Sequence, residues 1–237
     1  MILIIGGSKG LGKEISKRFS VSKKVIAIAR SGNNEEINNI KYIKYDINQP
    51  NEKILDENLV NKKFDAVFFT VGLMDIKDEI ACEDTISHNI LNTNFLSITR
   101  FVRYLLNQNK LNDNSLLCFC SSVTTFLPRD KNVFYSSSKV SLNNYVRSLE
   151  YFFLKNNYNV RVVNLILGYL SSNMMEENNK TPLLRSLSTK SLAEKIFKNY
   201  KNMGGEIILP KYWILIKFII FFMPKKLIIF IIKKLKV

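Results

Sequence analysis

Tyr135 and Lys139 stand four residues apart in the segment Tyr135-Ser136-Ser137-Ser138-Lys139. On a helix that spacing sets a phenol and an ammonium on one face, about one turn apart, where the cation can bias the phenol's proton toward transfer. Such a pair is an acid suited to a carbonyl oxygen. His88 is the sole histidine, which removes His-Cys zinc clusters and argues against a Ser-His-Asp arrangement. Chemistry in this chain has to run on Tyr, Lys, Ser and Asn, and no metal is expected.

An acid of this kind needs a rigid frame. Apolar runs alternate with amphipathic stretches, the pattern of strand-helix units wound around a parallel sheet. It predicts strands at 2–5, 25–29, 41–45, 66–70, 116–120, 160–165 and 206–209, and helices over 11–19, 90–107, 135–154 and 192–200. The 237 residues, 46% apolar and 23% charged, suit one sizeable core rather than two. The expected organisation is therefore a domain over 1–210 that contains the active site, and a separate tail over 211–237. Cys118 and Cys120 alternate on a predicted strand and read as buried thiols of a reducing compartment. Met1 leads straight into a strand and a glycine-rich turn, without a signal-peptide pattern, so a cytoplasmic location is expected.

The first strand runs into Gly6-Gly7-Ser8-Lys9-Gly10-Leu11-Gly12 and then a helix. There, bare backbone can approach a pyrophosphate and the first helical amides can bind its charge, with a purely structural glycine loop as the alternative. The second strand ends Ala29-Arg30-Ser31, without the carboxylate that a site for an unphosphorylated ribose offers. Arg30 can grip a phosphate bidentately and Lys9 adds a second cation, so the pattern predicts NADPH; two solvated surface cations are the alternative.

With these motifs in place, the chain resembles a classical short-chain dehydrogenase/reductase over about residues 1–210. Gly6, Gly10 and Gly12 match the family's glycine pattern, Asp46-Ile47 its acid beside the adenine, and Asn94 its active-site Asn. Ser122 lies thirteen residues before Tyr135, as the family's catalytic Ser does, and Lys139 completes the set. The resemblance implies an α/β, Rossmann-type, doubly wound, seven-stranded parallel sheet flanked by helices, with an apolar basic helical tail appended here. It implies Asn94, Ser122, Tyr135 and Lys139 as catalytic residues. Its cofactor contacts would be Gly6, Ser8, Lys9, Gly10, Leu11, Gly12, Arg30, Ser31, Asp46, Ile47, Gly72, Gly168, Leu170 and Ser172, besides Tyr135 and Lys139. In that scheme a hydride reaches the carbonyl carbon while Tyr135 protonates the oxygen. Lys139 lowers the phenol's pKa and binds the nicotinamide ribose, Ser122 holds the substrate oxygen, and Asn94 holds a relay water behind Lys139. Singly, Tyr135 could be a half-buried helix residue, Ser122 a strand-end cap and Asn94 an exposed helix position; the joint spacing is what carries the reading. Three departures stand out: Ile5 replaces a Thr, Phe69-Thr70-Val71-Gly72 replaces Asn-Asn-Ala-Gly, and Leu167-Gly168 replaces a Pro-Gly motif. Sheet-to-helix hydrogen bonds made there must be replaced.

The net charge is +15, and the last 27 residues hold seven Lys and no acid. Two apolar runs, 212–223 and 227–232, are split by Pro224-Lys225-Lys226, and neither reaches the ~20 residues a bilayer span needs. The expectation is an interfacial anchor with Trp213 and the Phe/Ile face buried and the lysines at anionic headgroups; packing on a partner subunit and a bent span are the alternatives. Met174, Met175, Pro182, Leu183 and Leu184 lie where the family places its substrate lid, and would make an apolar, adaptable cover, with ordinary loop packing as the equal alternative. The substrate expected is a ketone on a lipid-linked sugar or other glycoconjugate precursor at the cytoplasmic face of the membrane, with a 3-ketoacyl or other lipid ketone second. A non-catalytic NADP(H)-binding regulator is the reading of another class. No nucleic-acid partner is expected, since aromatic and basic residues do not interleave as a stacking platform would require. The resemblance also implies a homodimer, through the helices carrying Asn94 and Tyr135, or a homotetramer.

Overall fold

Apolar runs flanked by amphipathic helices bury both faces of their strands, as a parallel sheet wrapped by helices requires. The computed structural model describes residues 1–31, 34–127, 129–171 and 186–235. Its elements, in order, are β1 (Ile2–Ile5), α1 (Gly10–Ser20), β2 (Val25–Ala29), β3 (Glu36–Ile37), β4 (Ile40–Lys44), α2 (Glu52–Leu59) and β5 (Phe64–Phe69). There follow α3 (Asp84–Leu91), a π-helical turn (Asn92–Leu96), α4 (Ser97–Asn107), β6 (Leu111–Ser122), a 3-10 turn (Val123–Phe126), α5 (Val133–Lys155) and β7 (Val160–Leu167). The chain continues through β8 (Leu170–Ser171), β9 (Leu187–Ser188), α6 (Thr189–Asn199), β10 (Gly205–Leu209), α7 (Tyr212–Phe222) and α8 (Lys225–Leu235).

The main sheet has the order β10-β7-β6-β5-β1-β2-β4-β3. Its first seven strands are parallel, at the seven places the pattern predicted; β3 adds a short antiparallel edge. Asn38 and Asn39, at φ 50° and 64°, turn the chain between β3 and β4. Side chains alternate across the sheet: Leu3, Ile5, Ile26, Ile28, Val67 and Phe69 pack with α2, α4 and α5, while Ile2, Ile4, Val25, Ala27 and Phe68 pack with α1 and α6. The predicted helix over 90–107 starts earlier, at Asp84, and is interrupted by the π turn. Strand order reverses between β1 and β5, so the crevice at their carboxyl ends is where an open α/β sheet binds ligands.

The tail forms α7 and α8, broken at Met223-Pro224. Among the described residues no helix is long and apolar enough to cross a membrane. One side of α7 joins the body: Trp213 packs with Ile166, Ile208, Val123 and Phe126, and Lys217 pairs with Glu206.

Candidate functional site

The glycine turn is shaped by close approach. A Cβ on Gly12 would lie 2.2 Å from the Gly6 carbonyl oxygen, so only glycine lets α1 start against β1. Above Gly10 an added Cβ would meet nothing within 4 Å, which leaves the turn open. Lys9 makes no side-chain cap to α1 and the helix's first turn carries no acid, so its amide ends and dipole are available to an anion. Leu11 is buried in the core that anchors the turn. The replacement for the family's missing sheet-to-turn bonds is Thr70, whose hydroxyl donates to the carbonyls of Ile5 (2.9 Å) and Gly6 (3.3 Å).

The neighbouring strand ends continue this edge. Ser8 and Ser31 share a hydroxyl hydrogen bond of 3.0 Å, which ties the glycine turn to the end of β2. Arg30 and Lys9 are exposed there, and neither is held in an ion pair among the described residues. Asp46, just past β4, accepts from the Asn48 amide (2.9 Å), and Ile47 is buried beside it. An open turn and unclaimed helix amides fit the pyrophosphate of a dinucleotide, with two cations beside them that are unpaired among the described residues. Gly72 sits in the turn after β5 beside Leu73, whose amide and carbonyl are both bound by Asn94.

Ser122, Tyr135 and Lys139 converge at the carboxyl end of β6. Register with β7 carries β6 as far as Ser122, opposite Leu167. Ser122 does cap a strand end: its Oγ accepts from the amide (3.2 Å) and the hydroxyl (3.0 Å) of Thr124. With those acceptor positions used, its own proton is free to reach the Tyr135 oxygen, and that hydrogen bond favours the phenolate. Lys139 is buried, 3% exposed. Its Nζ donates to the Cys120 carbonyl at 3.0 Å and lies 5.8 Å from the Tyr135 ring centroid.

The pKa values run differently from the expectation. Desolvation of its hydroxyl is the largest influence on Tyr135 and raises its pKa, with Ser122 and then the Arg129 charge opposing it. A net lowering of the phenol's pKa is not what the fold gives, and desolvation also depresses Lys139 itself, from 10.5 to about 8. A shared low-polarity pocket penalises both charged forms. Burial likewise pushes the Cys118 thiol well up and Cys120 to about 11, so neither is a reactive thiolate.

Asn94 is not an exposed helix position but fully buried, in the π turn. Its Oδ1 accepts from the Leu73 amide (2.7 Å), and its Nδ2 donates to the Leu73 carbonyl (2.9 Å) and Ser138 Oγ (3.0 Å). The carboxamide therefore pins the turn after β5 to α5. One residue escaped sequence reasoning altogether. Asp78, 1% exposed, accepts from the Phe134 amide (2.9 Å) and the Tyr135 amide (2.8 Å), capping α5 from a distant loop. Its separation of 56 and 57 residues from those partners left no local signal.

At the next loop, Gly168 is pressed by the tail: a Cβ there would lie 2.5 Å from Trp213 Nε1. Leu170 follows in β8, paired with Leu187. Ser172 and the segment holding Met174, Met175, Pro182, Leu183 and Leu184 lie outside the described residues. His88 is exposed on α3, and no group of potential metal ligands occurs among the described residues.

Known proteins share both the sequence pattern and the fold. The family model described as short chain dehydrogenase matches residues 1–183. A short chain dehydrogenase family protein from Francisella tularensis superposes with TM-score 0.73 at 22% identity, over 88% of this chain and 96% of that one. A short chain dehydrogenase from Burkholderia cenocepacia, in complex with NADP, gives 0.75 at 14% identity over 93% of each chain. One from Leptospira borgpetersenii, with bound NAD+, gives 0.69 at 19% identity over 88% and 90%. No match was found among curated proteins.

Proposed function

Because the chain belongs to the short-chain dehydrogenase family and is an oxidoreductase, we propose that it reduces a ketone to a secondary alcohol with NADPH, on a lipid-linked sugar or related amphiphile at a membrane surface. The observation that carries this reading is the meeting of Ser122, Tyr135 and Lys139 at one strand end. When bound, the reduced nicotinamide supplies a hydride to the carbonyl carbon. With a ketone bound, Ser122 would turn its single O–H from the Tyr135 oxygen to the substrate oxygen, and Tyr135 transfers its phenolic proton there as the C=O π bond is broken, leaving a C–OH group. A raised Tyr135 pKa keeps that proton in place until the oxygen becomes basic, which suits reduction rather than oxidation. Lys139, protonated at neutral pH and anchored on Cys120, then stands beside the new phenolate. Asn94 fixes the turn after β5 against α5, and a relay water would use its one remaining acceptor lone pair.

Arg30, Lys9 and the Ser8–Ser31 link support NADPH over NADH, since they offer a 2′-phosphate charge and donors where NAD sites offer a carboxylate. The Burkholderia structure carries NADP and the Leptospira structure NAD+. The tail supports the membrane. On α7, Leu215 (63% exposed), Phe218 (63%), Phe221 (80%) and Phe222 (65%) face away from the body, and Lys225 and Lys226 follow at the break. Apolar area of this kind, flanked by cations, suits an anionic bilayer on the cytoplasmic side. Leu96, Val140 and Phe152, half-exposed near Asn94 and along α5, support a homodimer through those helices.

The test uses the full chain with NADPH and anionic phosphatidylglycerol vesicles, given a polyprenyl-phosphate ketosugar or a 3-ketoacyl thioester. NADPH oxidation should require one of them and vanish in Tyr135→Phe while NADPH binding persists. Turnover of neither rejects the lipid substrate. Equal rates in Tyr135→Phe reject proton donation by that phenol.

A further inference from the structure

Arg129 sits on the connection between the 3-10 turn capped by Ser122 and the start of α5, six residues before Tyr135. The far end of this connection is held firmly, because the Asn132 amide donates to the Asp78 carbonyl (2.7 Å) and the backbones of Lys131 and Glu79 form an isolated antiparallel β-bridge. Arg129 is partly exposed, but its Nε is buried and has no hydrogen-bond partner among the described residues. No ion pair neutralises the guanidinium among the described residues. Asp78, the only acid buried among the described residues, has both carboxylate oxygens committed to the Phe134 and Tyr135 amides. A buried charged donor left without an acceptor is costly to a fold and calls for a partner that arrives with a ligand. The guanidinium is also within electrostatic reach of the phenol, since its charge favours the Tyr135 phenolate.

Resting on the reading of Tyr135 as proton donor, we propose that Arg129 is a specificity-determining residue that selects ketones bearing a phosphate ester or phosphodiester close to the reacting carbonyl. Guanidinium is the side chain suited to such recognition, because its planar fork meets phosphate oxygens bidentately and, unlike lysine, it stays charged when desolvated. Phosphate near the carbonyl is chemistry shared by soluble sugar phosphates and lipid-borne phosphodiesters. Arg129 thus completes a division of labour in which Arg30 and Lys9 serve the cofactor's phosphate and Arg129 the substrate's.

The experiment uses the full chain saturated with NADPH, so that the cofactor phosphate sites are filled. It is titrated with methyl phosphate by calorimetry and thermal shift. Wild type should bind, Arg129→Gln should bind at least tenfold more weakly, and Arg129→Lys should recover only part of the loss. Tighter binding of decyl phosphate than of methyl phosphate identifies a lipid-borne group; equal binding identifies a soluble one. In turnover, Arg129→Gln should raise KM for phosphorylated ketones at least tenfold more than for their dephosphorylated counterparts, whatever common change in kcat follows from the lost charge near Tyr135. Equal methyl phosphate affinity in wild type and Arg129→Gln, or none in either, overturns the assignment even where Tyr135-dependent turnover persists. Loss of Tyr135 dependence with every ketone would instead strike the ketone-reductase reading.

Discussion

Lys139 is held in the fold at a cost that its replacement should reveal. It is 3% exposed and its pKa falls from 10.5 to about 8. At roughly 1.4 kcal/mol per pH unit, keeping the ammonium buried costs about 3 kcal/mol below pH 8. Because the folded-state pKa is depressed, the relative stability gained by shedding the proton is complete above 10.5 and is lost as pH falls through 8. Lys139→Met, of similar length and without charge, should therefore unfold at higher urea at pH 7, by up to about 3 kcal/mol, less whatever the Cys120 hydrogen bond contributes. The gap should close as pH rises from 8 to 10.5, while turnover is lost at every pH. Cys120 and Tyr135, both with raised pKa values, destabilise the fold as they ionise in alkali, but they are present in both proteins and largely cancel in the difference. Urea titrations of the two proteins across pH 7–10.5 provide the measurement. A gap of the same size at both ends, or a wild type more stable at pH 7, would falsify the claim that this charge is stored against the fold for catalysis.

Other perturbations follow from the same geometry. Asp78→Ala strips two charged acceptors from the start of α5 and should cost about 2–4 kcal/mol in urea unfolding, with kcat down about tenfold as Tyr135 shifts; Asp78→Asn, retaining one acceptor oxygen, should recover about half, and a loss under ~0.5 kcal/mol would exclude the clamp. Arg30→Asp should weaken NADPH binding at least tenfold and spare NADH, as read by cofactor fluorescence; equal losses for both would remove Arg30 from the 2′-phosphate. Phe221→Asp with Phe222→Asp touches only exposed rings, so flotation with phosphatidylglycerol vesicles should fall sharply while urea stability moves by less than ~0.5 kcal/mol; undiminished flotation would place the anchor elsewhere.

What could be read in the sequence was local. β1, β2 and β5 are apolar runs found by inspection, and the Tyr135 to Lys139 interval is set by helical pitch alone. β3 was missed because two residues with exposed side chains carry no hydrophobic period. The helix over 90–107 was read as continuous because a π turn that buries Asn94 looks like ordinary helix in composition. Thr70 was visible only as a departure from the family pattern, yet its hydroxyl restores the bonds that departure removed. The Cys120 carbonyl that anchors Lys139 belongs to the backbone, which no residue type announces.

Tyr135 shows why electrostatics resisted the sequence most. A charge four residues away is legible, and by itself it predicts a lowered phenol pKa. Desolvation is set by everything that surrounds the hydroxyl, including β6, the Ser122 turn and the start of α5, and those come together only in the fold. Their net effect reverses the sign. The reversal also bears on direction: a phenol that holds its proton is a donor in waiting, whereas oxidation of an alcohol would need the phenolate first. A pH profile should therefore show reduction steady through neutrality, falling above about pH 8 as Lys139 sheds its proton and further in alkali as Tyr135 loses its own, with oxidation favoured over that last range. If reduction were already declining below pH 7, the phenol would be ionising too early for burial to govern it.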